Sequence, residues 1–424
     1  MKVLLVGHGC GPDRGSEPGL TWNWALNLSR RHQIHVLTHP QYQPEIEAYL
    51  SKHPNANLEF SWVNVPSWID PWRPTRNDRG IRLHYLFWQR LAYREALRLS
   101  ERHNFDIVHH VSWGSVSAPP LLWRLPLPFV WGPVGGGATA PRNFRHYLGA
   151  DAIGDSLRTL RIRLLPWTPF LRKAVKNSAL LIATNRETVR LMKQAGGRNI
   201  RHGYDNAVSP QMLPDQMPRR SYSGEMKLLW AGKLAPFKAL RLGLEALALL
   251  KDAPVRLLVA GSGSQRKELE ALTRELGVSD RVEFLGSFAW TAMPSLFQRA
   301  DAFLFTSLRD SMGSVVMEAM SQALPIITLN HQGVAGLVPE EAGIKAPVTT
   351  PAATVAALAE GIRLLANSPE IRLKMGAASW NFARAQTWER RAAEMTQWYE
   401  ECVRNWNMKS DPKPAATRPR MENS

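Results

Sequence analysis

The chain has 424 residues, 44% apolar content and a formal net charge of +17, long enough for two or three globular domains with ordinary cores. Its two cysteines, Cys10 and Cys402, lie at opposite ends, which excludes a disulfide framework or cysteine metal site and fits a reducing compartment. The most apolar Pro-rich stretch, residues 119–141, is broken by Arg124 and by repeated Pro and Gly, so no transmembrane helix is expected.

Short apolar and β-branched runs alternate with helical patterns, the signature of parallel βαβ units. The first strand, residues 2–7, begins at once, leaving no room for a signal peptide. It runs into GHGCGPDRGSE, whose glycines fit a loop passing close to phosphate but lack the dinucleotide spacing G-x-G-x-x-G, so a Rossmann dehydrogenase is disfavoured. Strands follow at 35–39, 58–65, 106–112, 128–134 and 179–185. This half, residues 1–210, carries 27 Lys/Arg against 14 Asp/Glu and ten of the sixteen tryptophans. Basic residues mixed with Trp suit nucleic acid, an anionic membrane or a plain solvated face. The segment Leu157–Ser178, with few acids and a strong apolar component, favours a peripheral membrane contact through Arg161, Arg163, Trp167, Phe170, Arg172 and Lys173.

A polar, Pro-rich stretch at 209–224 reads as a linker. Strands then fall at 227–232, 256–261, 282–286, 302–307 and 325–330, making two doubly wound α/β domains that face one another across a hinge. The boundaries expected are 1–208 and 226–386 for the domains, 209–225 for the linker, 387–405 for a C-terminal helix, and 406–424 for a disordered tail.

Three motifs sit at strand ends in the second half, where such sheets bind ligands. Gly232-Lys233-Leu234-Ala235-Pro236-Phe237-Lys238 places two ammonium groups five residues apart on one loop, able to grip a diphosphate. Gly261-Ser262-Gly263 is a weaker glycine signal that also fits a tight turn. Asp310 and Glu318 flank a Gly-containing turn into a helix expected to begin near Ser314, whose free N–H groups, around Met312, Gly313, Ser314 and Val315, favour an anion. Two carboxylates beside an anion cradle suit a nucleotide-sugar.

With these residues, the chain resembles the family 4 glycosyltransferases, retaining enzymes of GT-B fold that move a sugar from a nucleotide-sugar to an acceptor. The resemblance spans roughly residues 1–400 and rests on Asp310-SMGSVVM-Glu318-AM, on Gly232-Lys233-Leu234 with Lys238, on Arg14-Gly15-Ser16-Glu17, and on the short strand opening IRHGYD. It implies that Lys233 and Lys238 hold the diphosphate, that Gly15 and Ser16 approach it from the first domain, that Asp310 binds donor-sugar hydroxyls and Glu318 the ribose. It also implies that the C-terminal helix crosses back to the first domain.

Asp310 stands where that family usually has Glu, and Lys233 where Arg is common, which trades a planar fork for a point charge. The family's His near the reacting centre is replaced by Trp131-Gly132-Pro133-Val134-Gly135-Gly136-Gly137, and the nearest substitutes, His109 and His110, fit a hydrogen-bonded structural role equally; His110 joins Asp310 and Glu318 as the catalytic candidates, with Glu17, His109, Trp113 and Gly135 on the acceptor side. Retaining transfer needs no nucleophilic carboxylate, and no Asp-x-Asp cluster lies near these loops, so neither metal nor cofactor is expected beyond a UDP- or GDP-sugar as co-substrate. The expected acceptor is a saccharide or lipid-linked saccharide of surface-polysaccharide or glycoconjugate synthesis, reached from the cytoplasm at the inner face of the membrane. The alternatives are a GT-B phosphorylase or nucleotide-sugar epimerase, and a basic protein binding nucleic acid or an anionic polymer; nucleic acid is not expected.

Overall fold

A computed structural model describes residues 1–73, 78–220 and 224–410, with the side chains of 409 and 410 excepted. Two parallel sheets organise it. The first is built from β1 (Lys2–Gly7), β2 (Gln33–Thr38), β3 (Leu58–Trp62), β4 (Ile107–Ser112), β5 (Phe129–Val134), β6 (Leu180–Ala183) and β7 (Ile200–His202), in the order β3-β2-β1-β4-β5-β6-β7. The second contains β8 (Met226–Ala231), β9 (Val255–Ala260), β10 (Val282–Gly286), β11 (Ala302–Phe305), β12 (Ile326–Leu329) and β13 (Gly343–Ala346), in the order β10-β9-β8-β11-β12-β13. The central strands are buried along almost their whole length, as expected where helices cover both faces.

Strand order reverses between β1 and β4 in one sheet and between β8 and β11 in the other, and a crevice opens at the carboxyl ends of such a pair. The loops after β1, β4, β8 and β11 therefore meet between the domains. That topology, more than any single residue, positions the site.

β13 has no counterpart in the sequence reading. Its four residues, Gly-Ile-Lys-Ala, lack a β-branched run, and only the register against β12, Ile326 opposite Gly343 through Leu329 opposite Ala346, makes them a strand.

Two exchanges tie the domains together. The C-terminal helix, Trp388–Ser410, packs Trp388, Ala392, Met395, Tyr399 and Cys402 into the core of the first sheet beside Val3, Leu5 and Ile34. Trp388 meets Trp24 edge-on at 5.4 Å. Helix continues to Ser410, so residues 406–410 are not the disordered tail expected there; the rest of that tail lies outside the described residues, as do 221–223 of the linker. In the opposite direction, the segment Arg142–Asp151 sends Phe144 and Tyr147 into the core of the second domain. Asp155 of the following helix, Ala152–Leu164, pairs with Arg309 at 2.7 Å, and the Arg309 guanidinium lies 4.7 Å from the Phe237 ring centroid.

Candidate active site

Between the domains lies a cavity of about 1090 Å³ lined by Gly15 and Ser16 from the first domain and, from the second, by loops that include Gly232, Lys233, Lys238, Gly261, Gly263, Asp310, Gly313, Ser314, Val315 and Glu318. Local chemistry explains each wall. The loop after β8 and the loop after β9 touch so closely that a Cβ on Gly261, whose φ is +147°, would lie 1.8 Å from the Gly232 carbonyl oxygen. Only glycine fits there, and the fit brings both loops up to the cavity. Gly15 is a close approach of the other kind: its Cβ would lie 2.8 Å from Cδ1 of Trp290, where the domains meet.

The helix Ser314–Ser321 starts at the cavity without a side-chain cap, its N-cap being Gly313. The first N–H groups of that helix are left for a ligand, and its positive end favours an anion. Met312 is not part of this wall. It is 1% exposed and packs in the core with Phe305 and Val316, because the turn before the helix directs it inward.

The two lysines differ. Lys233 is exposed at the rim. The Lys238 ammonium is largely buried, forms an ion pair with Asp310, and lies 5.5 Å from the Phe305 ring centroid. The Asp310 backbone N–H donates to Oε1 of Gln332 at 2.9 Å, which fixes the loop. Glu318 accepts a hydrogen bond from the Trp290 indole at 3.0 Å. Burial raises its pKa, and the indole N–H opposes that rise.

Ser262, Ser264, Ser287, Phe288, Trp290 and Met293 also line the cavity, and the sequence reading named none of them as site residues. The serines give no periodic or charge signal, and the stretch Ser287–Met293 lies beyond β10, where no glycine or lysine motif marks it.

Of the residues expected on the acceptor side, Glu17 accepts the Gly114 N–H at 3.1 Å, and burial pushes its carboxyl up to about 7 against that hydrogen bond and one from Ser112. Asp205, absent from the sequence-based candidates, is also pushed up to about 7, by burial first and then by the charges of Asp310 and Glu17. That Asp310 and Glu17 raise Asp205 by their charge places these three carboxyl groups near one another at the seam. Gly135 sits at the same seam: the Gly136 N–H donates to Ser311 Oγ at 3.3 Å, and Asn185 Nδ2 donates to the Ser311 carbonyl at 3.1 Å. Trp113 is half-buried, its backbone N–H 3.3 Å from the Tyr85 hydroxyl.

The histidines at the end of β4 do not reach the cavity. His109 is fully buried between the Tyr399 hydroxyl at 2.5 Å and the Gly132 carbonyl at 2.6 Å, clamping the C-terminal helix to the sheet. His110 is 1% exposed behind Tyr85, whose hydroxyl is 3.0 Å from its Nε2, and burial pushes its pKa down to about 3. A strand buried on both faces leaves no path from His110 to a ligand, so the geometry corrects the expectation of a catalytic His110.

Residues 216–381 match the family model described as Glycosyl transferases group 1. Among curated relatives, the D-inositol 3-phosphate glycosyltransferase of Corynebacterium glutamicum is 28% identical over 188 residues, covering 42% of this chain and 44% of that protein. The aligned part is thus less than half the length of that relative. Sucrose-phosphate synthase from Thermosynechococcus elongatus superposes with a TM-score of 0.64 at 15% identity, covering 95% of this chain and 99% of the other. The fold is GT-B. HepE from Anabaena in complex with UDP shares this GT-B architecture, with a TM-score of 0.61 at 18% identity over 94% of this chain and 100% of its own. In a GT-B fold the cavity described here lies in the cleft between the two Rossmann-like domains.

Proposed function

We propose that the chain moves a sugar from a nucleotide-sugar to a saccharide or lipid-linked saccharide, with retention and without a metal. One observation carries this: Lys233, Lys238 and the uncapped start of Ser314–Ser321 converge on one cavity that also presents the Glu318 carboxylate. Lysines and helix end hold a diphosphate, Glu318 accepts from the ribose hydroxyls, and Asp310, freed from Lys238 by the arriving phosphate, accepts from the sugar. Charge that grows on the departing diphosphate is met by groups already in place, so the acceptor can enter on the leaving group's own face and pass its proton to a phosphate oxygen. Among the described residues, the His/Asp/Glu cluster with metal-ligand spacing is His35, Glu59 and His103, at the amino ends of the first sheet's strands and away from this cavity.

The test is a thermal-shift screen of UDP-, GDP- and ADP-sugars. A concentration-dependent rise with one nucleotide class supports the reading, and UDP is the first to try because HepE, of the same fold, is known in complex with UDP. No shift with any of them would oppose it. Lys233→Ala is expected to weaken nucleoside diphosphate and nucleotide-sugar equally, by about tenfold, since an exposed charged contact sits at the low end of the 1.5–3 kcal/mol range. Calorimetry showing unchanged affinity for both would return Lys233 to the solvated rim.

The acceptor reading extends to an anionic membrane at the cytoplasmic face. Ile153, Leu157, Leu160 and Leu164 form one stripe along Ala152–Leu164 and are 55–69% exposed, and Trp167 and Phe170 prolong it at 66% and 56%. Exposed Arg161, Arg163, Arg172 and Lys173 stand beside it. No helix among the described residues is long and apolar enough to cross a membrane, and this patch would instead lie in the interface. Removing those four basic residues should weaken binding to phosphatidylglycerol vesicles roughly a thousandfold, at about 1 kcal/mol each. Vesicle sedimentation with no loss in that variant, or equal recovery on neutral lipid, would defeat the membrane reading and leave the transfer reading standing.

A further inference from the structure

His8 follows β1 at the switch point of the first sheet and belongs to a relay that the transfer chemistry above does not use. Its Nε2 is 3.0 Å from Nε2 of His84, and His84 Nδ1 is 2.7 Å from Oδ1 of Asp70. Burial alone would raise the Asp70 pKa, but the Trp72 N–H and His84 outweigh it and hold the carboxylate below its ordinary range. An ionised carboxylate only accepts, so His84 carries its proton on Nδ1. One proton sits between the facing Nε2 atoms of His84 and His8; where His8 carries it, its Nδ1 is left bare.

That nitrogen makes no hydrogen bond among the described residues, and the residue keeps 8% of its surface exposed against 1% for His110. The ring is held in plane by His39, stacked at 5.3 Å, and by Trp88, edge-on at 5.0 Å. Trp113, 6.2 Å away, connects it to the seam, because the next residue, Gly114, donates to Glu17 beside Gly15 and Ser16. We propose that His8, fixed as one tautomer by Asp70 and His84, accepts on Nδ1 the hydrogen bond of the acceptor's incoming hydroxyl and so orients it; this rests on the transfer reading above.

The groups facing His8 are His39 from the end of β2, His84 and Tyr85 from the helix Ile81–Arg102, and His110 from β4, with Asp70 beyond His84. Burial first, then the other histidines, keep His8 well below the ordinary histidine value, so it stays an acceptor through neutral pH. The proton of the hydroxyl still leaves with the diphosphate, and His8 sets only direction.

The test uses the full chain with ¹⁵N-labelled histidine at pH 7.5, together with slow hydrolysis of UDP-, GDP- and ADP-glucose, in which water takes the hydroxyl's place. His8 is expected as the Nε2–H form with bare Nδ1, and His84→Phe should mix the tautomers. His8→Phe should lower hydrolysis at least tenfold with nucleoside diphosphate affinity unchanged. His8→Asn, whose Oδ1 occupies the place of Nδ1, should recover most of the rate. An Nδ1–H form of His8, or a wild-type rate in His8→Phe, would overturn the proposal alone. Equal loss in both variants with weakened nucleotide binding would overturn it as well, making His8 structural. No turnover of any of the three sugars by wild type would overturn the transfer reading and this inference with it.

Discussion

Lys238→Ala is expected to lower kcat/KM for transfer by about a hundred- to a thousandfold, the largest effect of any single substitution in the cavity. Two losses combine. The diphosphate loses a charge-assisted partner worth roughly 1.5–3 kcal/mol. Asp310 loses the cation that faces it, so a partly buried carboxylate is left beside an incoming anion. At about 1.4 kcal/mol per decade, the first loss alone accounts for one to two decades and the second supplies the rest. Because the grip is on phosphates, calorimetry should show the nucleoside diphosphate weakened as much as the nucleotide-sugar. Wild-type affinity for both would mean that the Lys238–Asp310 pair is only a structural tie between the loops after β8 and β11.

Glu318→Gln is expected to cost ten- to a hundredfold in kcat/KM with the fold intact. Glutamine keeps the shape and an oxygen for the Trp290 indole, which donates at 3.0 Å, but it replaces a charged acceptor for the ribose by a neutral amide, a loss of about 1.5–3 kcal/mol. The pH dependence supplies a second signature. Burial raises the Glu318 pKa, so the carboxylate is present above that raised value and is lost as pH falls through it. Donor affinity in the wild type should therefore decline toward acid from a higher pH than an ordinary glutamate gives, and the Gln variant should be flat in that window. Unchanged kcat/KM in the variant would remove Glu318 from the ribose.

Most strands of both sheets were legible because they are largely apolar runs ended by Gly, Pro or a polar turn, as in KVLLVG and AFLFTS, whereas β7, Ile-Arg-His, was named only through the resemblance. β13 was not, since a four-residue edge strand containing Gly and Lys takes its conformation from β12 and not from its own propensity. The second domain's share of the cavity was readable where charge or glycine marks a strand end, at Gly232–Lys238 and Asp310–Glu318. Its other wall was not, because Trp290 and the serines reach the cavity only through the packing of separate loops. Met312 shows the limit of spacing: a position in the right turn can still point into the core. The same limit hid the strap Arg142–Asp151, whose Phe144 and Tyr147 look like ordinary first-domain residues until the fold buries them in the second. The Asp70–His84–His8 relay joins residues 14 and 76 positions apart, separations at which no local pattern speaks.

The central claim is that the cavity between the domains binds a nucleotide-sugar by its diphosphate and ribose. Calorimetric titration of the wild-type chain with UDP-, GDP- and ADP-glucose tests it most directly. One-to-one binding of one nucleotide class is expected, competed by its nucleoside diphosphate and weakened at least tenfold by both Lys238→Ala and Glu318→Gln. Absence of binding by all three at millimolar concentration, or binding that neither substitution disturbs, would contradict it.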